Sequence, residues 1–152
     1  MSEFEQLAAR VAALEHRVAG IIRYGTVDSV QPDAGTVRLN LGSGVAGPVF
    51  SKRVPYAQTA GAMKYHNPPS VGQQMMLVSP GGDMRQGVAL PYTWSDQNTS
   101  PGAEPDDHVL TFGPLRVSNT GDVVHLTLGG TSIRLDTSNI KMDSGRIDLN
   151  KG

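Results

Sequence analysis

The fold of the C-terminal third of this chain is decided by the stretch LTLGGTS-IRLDTSN-IKMDSGR-IDL, which covers residues 126–149 and repeats every seven residues. Each repeat begins with two apolar residues separated by one residue and continues with small or polar residues, such as Gly129 and Gly130. Residues two apart share one face of a strand but not of a helix, and paired glycines disfavour a helix. The pattern therefore predicts stacked strands of about four residues joined by tight turns.

The apolar residues of the repeat predict two columns that would form an inner core. The first column contains Leu126, Ile133, Ile140 and Ile147, and the second contains Leu128, Leu135, Met142 and Leu149. Burial of these side chains would contribute roughly 12–24 kcal/mol per chain. A single narrow ribbon has nothing to close over such a face. The repeat therefore disfavours a monomer, and three identical chains could enclose the columns by each supplying one wall of a triangular prism.

Residues 1–22 carry a second seven-residue pattern, this time at the spacing of a coiled-coil helix. Positions a are Phe4, Val11 and Val18, and positions d are Leu7, Leu14 and Ile21. Ser2 is a predicted N-cap, while Glu15 at position e and Arg10 and Arg17 at position g flank the seam. The segment fits either a short coiled-coil-like helix or an amphipathic helix packed on its own domain. β-Branched residues at a with Leu at d favour dimers in longer coiled coils.

Residues 23–92 have the alternation and turn residues of a small all-β domain. The predicted strands lie at residues 24–30, 36–41, 74–79 and 86–91, with a weaker pair at 45–56 that is interrupted by Pro48 and Pro55. Short strands of this number and spacing predict a five-stranded Greek-key barrel of the OB type. Residues 93–108, rich in Ser, Asn, Pro and Asp, then read as a linker to a β-prism at residues 109–152.

Composition restricts the class of function. The 152 residues carry a net charge of −1 and contain no cysteine, which argues against an electrostatic footprint for nucleic acid and against thiol chemistry. The first residues lack the pattern of a secretion signal, and no apolar run approaches membrane-spanning length. We therefore expect a protein that is made and folded in the cytosol.

No group of residues has the spacing expected of an active site or a metal centre. The four histidines, His16, His66, His108 and His125, are isolated from one another in the sequence. The Asp106-Asp107-His108 run could bind a cation but is more typical of a solvated linker. The stretch at residues 80–83, PGGD, lacks the spacing of a phosphate-binding loop and predicts a turn between two strands. We expect no catalysis, no cofactor and no bound metal.

Several spaced motifs lie in the first hundred residues: IRYGTV at residues 22–27, NPPSVGQQ at 67–74, LVSPGGD at 77–83 and QGVALP at 86–91. Together they resemble the baseplate assembly protein V family, the central spikes of contractile phage tails and related injection particles. The resemblance implies a homotrimer in which an OB-fold domain docks to the tail hub and a β-prism needle is driven into the target cell envelope. It places the protein in a virion tail baseplate or injection particle assembled in the host cytoplasm.

The C-terminal residues depart from one pattern of this family. Many members end in a His-x-His apex that holds an iron ion, whereas this sequence ends RIDLNKG at residues 146–152. Ile147 and Leu149 would then present an apolar end. We therefore expect a metal-free apex that binds a separate tip protein.

Two classes of function remain open at the level of the sequence. The first is a structural piercing spike, which contacts hub and baseplate proteins and, transiently, the target membrane. The second is an OB-fold module that binds nucleic acid or carbohydrate and is trimerised by its β tail.

Overall fold

The computed structural model describes residues 1–149, and these residues form two compact units. The first unit is Met1–Thr99, and the second begins at Ser100. The described part of the chain contains one α-helix and eleven strands, and all pairing between named strands is antiparallel. The prediction of a mainly β chain with an N-terminal helix is confirmed.

The helix α1 (Glu3–Ile21) begins at the predicted cap. The Glu5 amide donates to Oγ of Ser2 at 3.2 Å, and the Ser2 amide donates to Oε2 of Glu5 at 2.6 Å. This reciprocal pair is a capping box, which satisfies amides that a helix start leaves unpaired. The helix ends where strand β1 begins at Ile22, and the Ser79 amide donates to the carbonyl of Ile21 at 2.7 Å.

The rest of the first unit is a small barrel. Its strands are β1 (Ile22–Gln31), β2 (Thr36–Gly44), β3 (Gly47–Phe50), β4 (Val54–Pro55), β5 (Gln74–Val78) and β6 (Val88–Pro91). They pair in the order β3-β2-β1-β5-β6, with β4 also paired to β2. A parallel bridge between Tyr56 and Ala89 joins the segment after β4 to β6 and closes the ring.

The long strand β2 pairs with both strands of the weaker predicted pair, so the sheet contains six strands and not the five of the predicted barrel. Its end pairs with β3 and its start pairs with β4, so two short segments share one neighbour. At the break between them, Oγ of the buried Ser51 accepts from the Leu39 amide at 2.9 Å and donates to the Lys52 carbonyl at 2.7 Å. Ser51 therefore satisfies polar groups that the interrupted ladder would leave unpaired.

The barrel buries a compact apolar core. Five of its side chains have no measurable exposure: Val37, Leu39, Val54, Leu77 and Ala89. Val27, Tyr56 and Met75 complete the cluster. These residues alternate along their strands with less buried ones, as expected for a sheet with one face turned inward.

The second unit is a five-stranded meander. Its strands are β7 (His108–Phe112), β8 (Leu115–Asn119), β9 (Val123–Leu128), β10 (Thr131–Asp136) and β11 (Ile140–Asp143), paired in chain order. Short turns join them, including Gly129 and Gly130 between β9 and β10. We refer to these five strands as the tail sheet.

Candidate functional site

One face of the tail sheet is lined by apolar side chains in rows that run across the strands. Residues directly opposite one another in antiparallel strands share a face. The central row contains Leu110, Val117, Leu126, Ile133 and Met142. On one side of it lie Phe112, Leu115 and Leu128, and on the other Val124, Leu135 and Ile140. We call this surface the apolar tail face.

The cross-strand pairing does not follow the order of the two predicted columns. Leu126 does lie opposite Ile133, but Ile133 then lies opposite Met142, and Leu135 lies opposite Ile140. The reason is that successive strands of a meander run in opposite directions, so the order of the two apolar residues reverses at each turn. Six of the eight predicted core residues share the apolar tail face.

The apolar tail face is uncovered in the single chain. Leu126 and Ile133, near its centre, retain 38 % and 36 % of their exposure, and Ile140 and Phe112, on its outer strands, retain 67 % and 82 %. A contiguous apolar surface of this kind marks an interaction site in a soluble protein. Burial of the eight predicted residues in a trimer core stays a prediction.

Sequence reasoning from the seven-residue repeat missed the apolar contribution of β7 and β8. Leu110, Phe112 and Val117 lie on the apolar tail face although they precede the repeat. The signal that could have found them is the period-two alternation in HVLTF at residues 108–112.

The turns of the tail sheet are held by side-chain hydrogen bonds. Oδ1 of Asp136 accepts from the amides of Ser138 and Asn139 at 3.0 and 2.8 Å. These bonds, that from Ser138 foremost, hold the pKa of Asp136 below its ordinary value because they favour the charged carboxylate. The turn between β10 and β11 is thus specified locally.

The end of the predicted needle lies partly outside the described residues. Ile147 and Leu149 follow the last strand and retain 49 % and 84 % of their exposure. The predicted metal-free apex and the predicted contact with a tip protein include residues 150–152. These residues lie outside the described part of the chain.

The heptad seam of α1 is a second uncovered apolar surface. None of the helix residues is buried, and the six seam residues retain between 37 and 80 % of their exposure. The helix meets the barrel near its C-terminal end, where Arg17 and Gly20 lie against Gly82. The alternative that the seam packs on its own domain is therefore not what the structure shows.

A shallow groove of about 390 Å³ crosses the barrel surface. The rings of Tyr24 and Tyr92 stand on it with centroids 4.6 Å apart. Leu41 and Met75 line it together with the polar side chains of Thr26, Asn40 and Gln74. The lining includes no charged residue, so the groove has the character of a weak aromatic platform rather than a charged site.

Titratable side chains do not converge anywhere in the described residues. No group of three or more His, Asp or Glu side chains within residues 1–149 is arranged to hold a metal ion. Asp107 instead caps a turn: Oδ2 accepts from the amides of Ala103 and Glu104, each at 3.2 Å. The Glu104 bond contributes most to holding the pKa of Asp107 below its ordinary value.

The PGGD stretch forms the first of two consecutive 3-10 turns between β5 and β6, Pro80–Gly82, and its Asp83 caps the second, Met84–Gln86. Oδ1 of Asp83 accepts from the Arg85 amide at 3.0 Å, and the Arg85 side chain also pairs with this carboxylate. The side-chain bond from Arg85 lowers the pKa of Asp83.

Within residues 1–149, no helix is long and apolar enough to cross a membrane.

The closed antiparallel barrel and its motifs define a domain of the OB class. Residues 23–94 match the family model of the type VI secretion system and phage-baseplate injector OB domain. These residues are slightly less than half of the chain, and over them the predicted resemblance to the baseplate assembly protein V family is confirmed. A comparison with curated proteins gives no match.

The match of this domain supports a general class of protein for the chain. It is a structural component associated with the baseplate of a phage tail or related injection system, and the family is not known for enzymatic activity.

Proposed function

We propose that this protein is the structural central spike of a contractile tail or injection baseplate and works as a homotrimer. In this proposal the OB-fold domain at residues 23–92 docks to the tail hub. The β-prism at residues 109–152, reached through the linker at 93–108, pierces the target cell envelope. The particle would be assembled in the host cytoplasm.

The observation that carries the proposal is the bare apolar tail face. Its central residues Leu126 and Ile133 stay more than one-third exposed, although they lie in the middle of the sheet. The opposite face carries polar side chains, including His125, Thr127 and Arg134, which pair across the strands. A sheet with one apolar and one polar face is suited to cover its apolar side with another copy of itself.

The tail sheet is compatible with two or three copies, and the family resemblance favours three. Two sheets could cover each other as a sandwich, with their faces about 10 Å apart. Three sheets could instead close into a prism whose interior holds all three apolar faces. The resemblance to the central spikes of baseplates favours three, and a long narrow prism suits a piercing role.

The size of the purified full chain tests the assembly. We expect a particle of three times 16.1 kDa by mass photometry and sedimentation velocity at micromolar concentration. A stable monomer would contradict the spike proposal, and a stable dimer would support the sandwich arrangement.

A second candidate function is supported by the groove at Tyr24 and Tyr92. Aromatic platforms on OB barrels bind single-stranded nucleic acid or sugars. The lack of basic residues in the lining weighs against nucleic acid, which needs a positively charged groove. Carbohydrate is the better fit to the polar side chains present.

Co-expression with the neighbouring tail genes separates the two candidates. The spike proposal predicts co-purification with hub and tail-tube proteins and no retention on glycan or oligonucleotide resin. The binding-module alternative predicts retention on a resin, and the Tyr92→Ala variant should then lose it.

A further inference from the structure

The charged residues that flank the apolar seam of α1 indicate which kind of partner the seam binds. Its residues Phe4, Leu7, Val11, Leu14, Val18 and Ile21 are all exposed, whereas the barrel contacts the helix at Arg17 and Gly20. Neither of these two residues occupies an a or d position, and the d residue Ile21, whose carbonyl accepts from the Ser79 amide, still retains 37 % of its exposure. The barrel therefore holds the helix from the side and leaves the seam free for another molecule.

Arg10 and Glu15 flank this seam with opposite charges. They lie five positions apart, about 140° around the helix axis, so they do not face each other within one helix. Within residues 1–149, neither residue takes part in an ion pair. Arg10 occupies position g and Glu15 the following position e, which is the spacing at which neighbouring parallel helices pair their charges across a seam.

The same charges disfavour an antiparallel partner. Antiparallel helices bring position g of one helix near position g of the other. Here that would place Arg10 near Arg17, two like charges beside an apolar seam. The charge pattern thus selects a second copy of the same helix in parallel orientation.

The junction with the barrel supports an in-register arrangement. Strand β1 starts at Ile22, directly after the last helical residue, so the helix has no flexible linker. Its last carbonyl is held by the Ser79 amide at 2.7 Å. Copies related by one symmetry axis would therefore present their helices at equal heights.

We infer that the α1 helices of neighbouring copies form a parallel, in-register bundle in which Arg10 of each copy pairs with Glu15 of the next. This inference rests on the proposed homotrimer. It gives the assembly a second contact surface that does not depend on the apolar tail face.

Cysteine cross-linking of the full chain tests the bundle, because the natural sequence contains no cysteine. Leu7→Cys places the thiol on the seam, and the matched control Ala9→Cys places it at the outward position f. After mild oxidation we expect Leu7→Cys to give disulfide-linked pairs of chains on a non-reducing gel, and Ala9→Cys to remain single chains. Leu14→Cys, one heptad further along, should behave as Leu7→Cys does.

Cross-linking at Leu7 distinguishes a parallel pair of helices from an antiparallel pair. In an antiparallel pair Leu7 would lie opposite Val18, which separates the two thiols by about 16 Å along the axis. That distance is beyond the reach of a disulfide. An antiparallel pair would thus leave Leu7→Cys uncross-linked.

Charge exchange tests the predicted pair. Introducing Arg10→Glu into the Leu7→Cys chain should slow cross-linking by about two- to fivefold, as expected for the loss of an exposed ion pair. Adding Glu15→Arg should restore the rate, because the pair is re-formed with its charges exchanged. Failure of the double variant to recover would overturn the proposed pairing.

Sedimentation of the same variants separates this inference from the spike proposal. A trimer in which Leu7→Cys and Leu14→Cys do not cross-link would overturn the bundle and leave the proposed trimer intact. A monomer without cross-links would overturn both.

Discussion

The barrel and the tail sheet are both antiparallel, yet the barrel buries its apolar side chains within one chain and the tail sheet leaves them exposed. In the barrel, Leu39 and Leu77 are fully buried by strands of the same chain. In the tail sheet, Leu126 and Ile133 occupy central strands and remain exposed. The barrel curves until the segment after β4 meets β6, whereas the five described strands of the meander form a single layer. The barrel therefore has the core of an independent domain, whereas the tail sheet supplies one apolar face that needs a second layer to become a core.

Removing the tail should produce the largest change in assembly. A chain that ends at Thr99 retains the whole barrel core but loses the apolar tail face. We expect it to keep its β-sheet circular dichroism and to lose the stable trimer in sedimentation velocity. The contrast between the two regions would fail if this fragment were as stably trimeric as the full chain.

A charge placed on the apolar tail face should be the most harmful single substitution. In the proposed trimer, Ile140→Asp brings three carboxylates into an apolar interior, which should cost about 4 kcal/mol or more per chain. Thr137→Asp is the matched control, because Thr137 lies in the solvated turn after β10. Chemical denaturation and mass photometry should show loss of the trimer for Ile140→Asp alone. Equal stability of the two variants would contradict the assignment of the face.

Truncation of one leucine in each region should separate their two kinds of burial. Leu39→Ala removes a fully buried side chain and should lower the free energy of unfolding by about 3 kcal/mol. This loss should not depend on protein concentration, because the barrel core comes from one chain. Leu126→Ala should instead weaken assembly, so its melting temperature should fall further as the protein is diluted. A concentration-independent effect of Leu126→Ala would argue that one chain buries it alone.

The sequence predicted those features that are encoded locally. The Ser2 cap, the strands β1 and β2, and the face of the tail residues follow from neighbouring side chains and from strand periodicity. The register of the tail sheet does not, because a repeat of seven fixes which face a residue occupies but not the direction of the next strand. The role of Ser51 depends on Leu39, twelve residues away, and the contact of Gly82 with α1 depends on residues more than sixty positions away. Such long-range pairings leave no local signal.

The two glycines of the PGGD turn offer the smallest and most local comparison. Both have positive φ, +60° at Gly81 and +78° at Gly82, so a side chain at either position carries backbone strain. A Cβ on Gly81 would have nothing within 4 Å, whereas a Cβ on Gly82 would lie 2.5 Å from the carbonyl oxygen of Arg17 in α1.

Gly81→Ala should therefore cost about 1 kcal/mol from backbone strain alone. Gly82→Ala should cost about 2 kcal/mol, because the helix must also move away from the barrel. Equilibrium unfolding of the chain that ends at Thr99 measures both values without the tail. In the full chain carrying Leu7→Cys, Gly82→Ala should also reduce cross-linking of the seam, because the helix loses its fixed position. If the two alanine variants were equally stable, the close contact between Gly82 and Arg17 would not be what positions the helix.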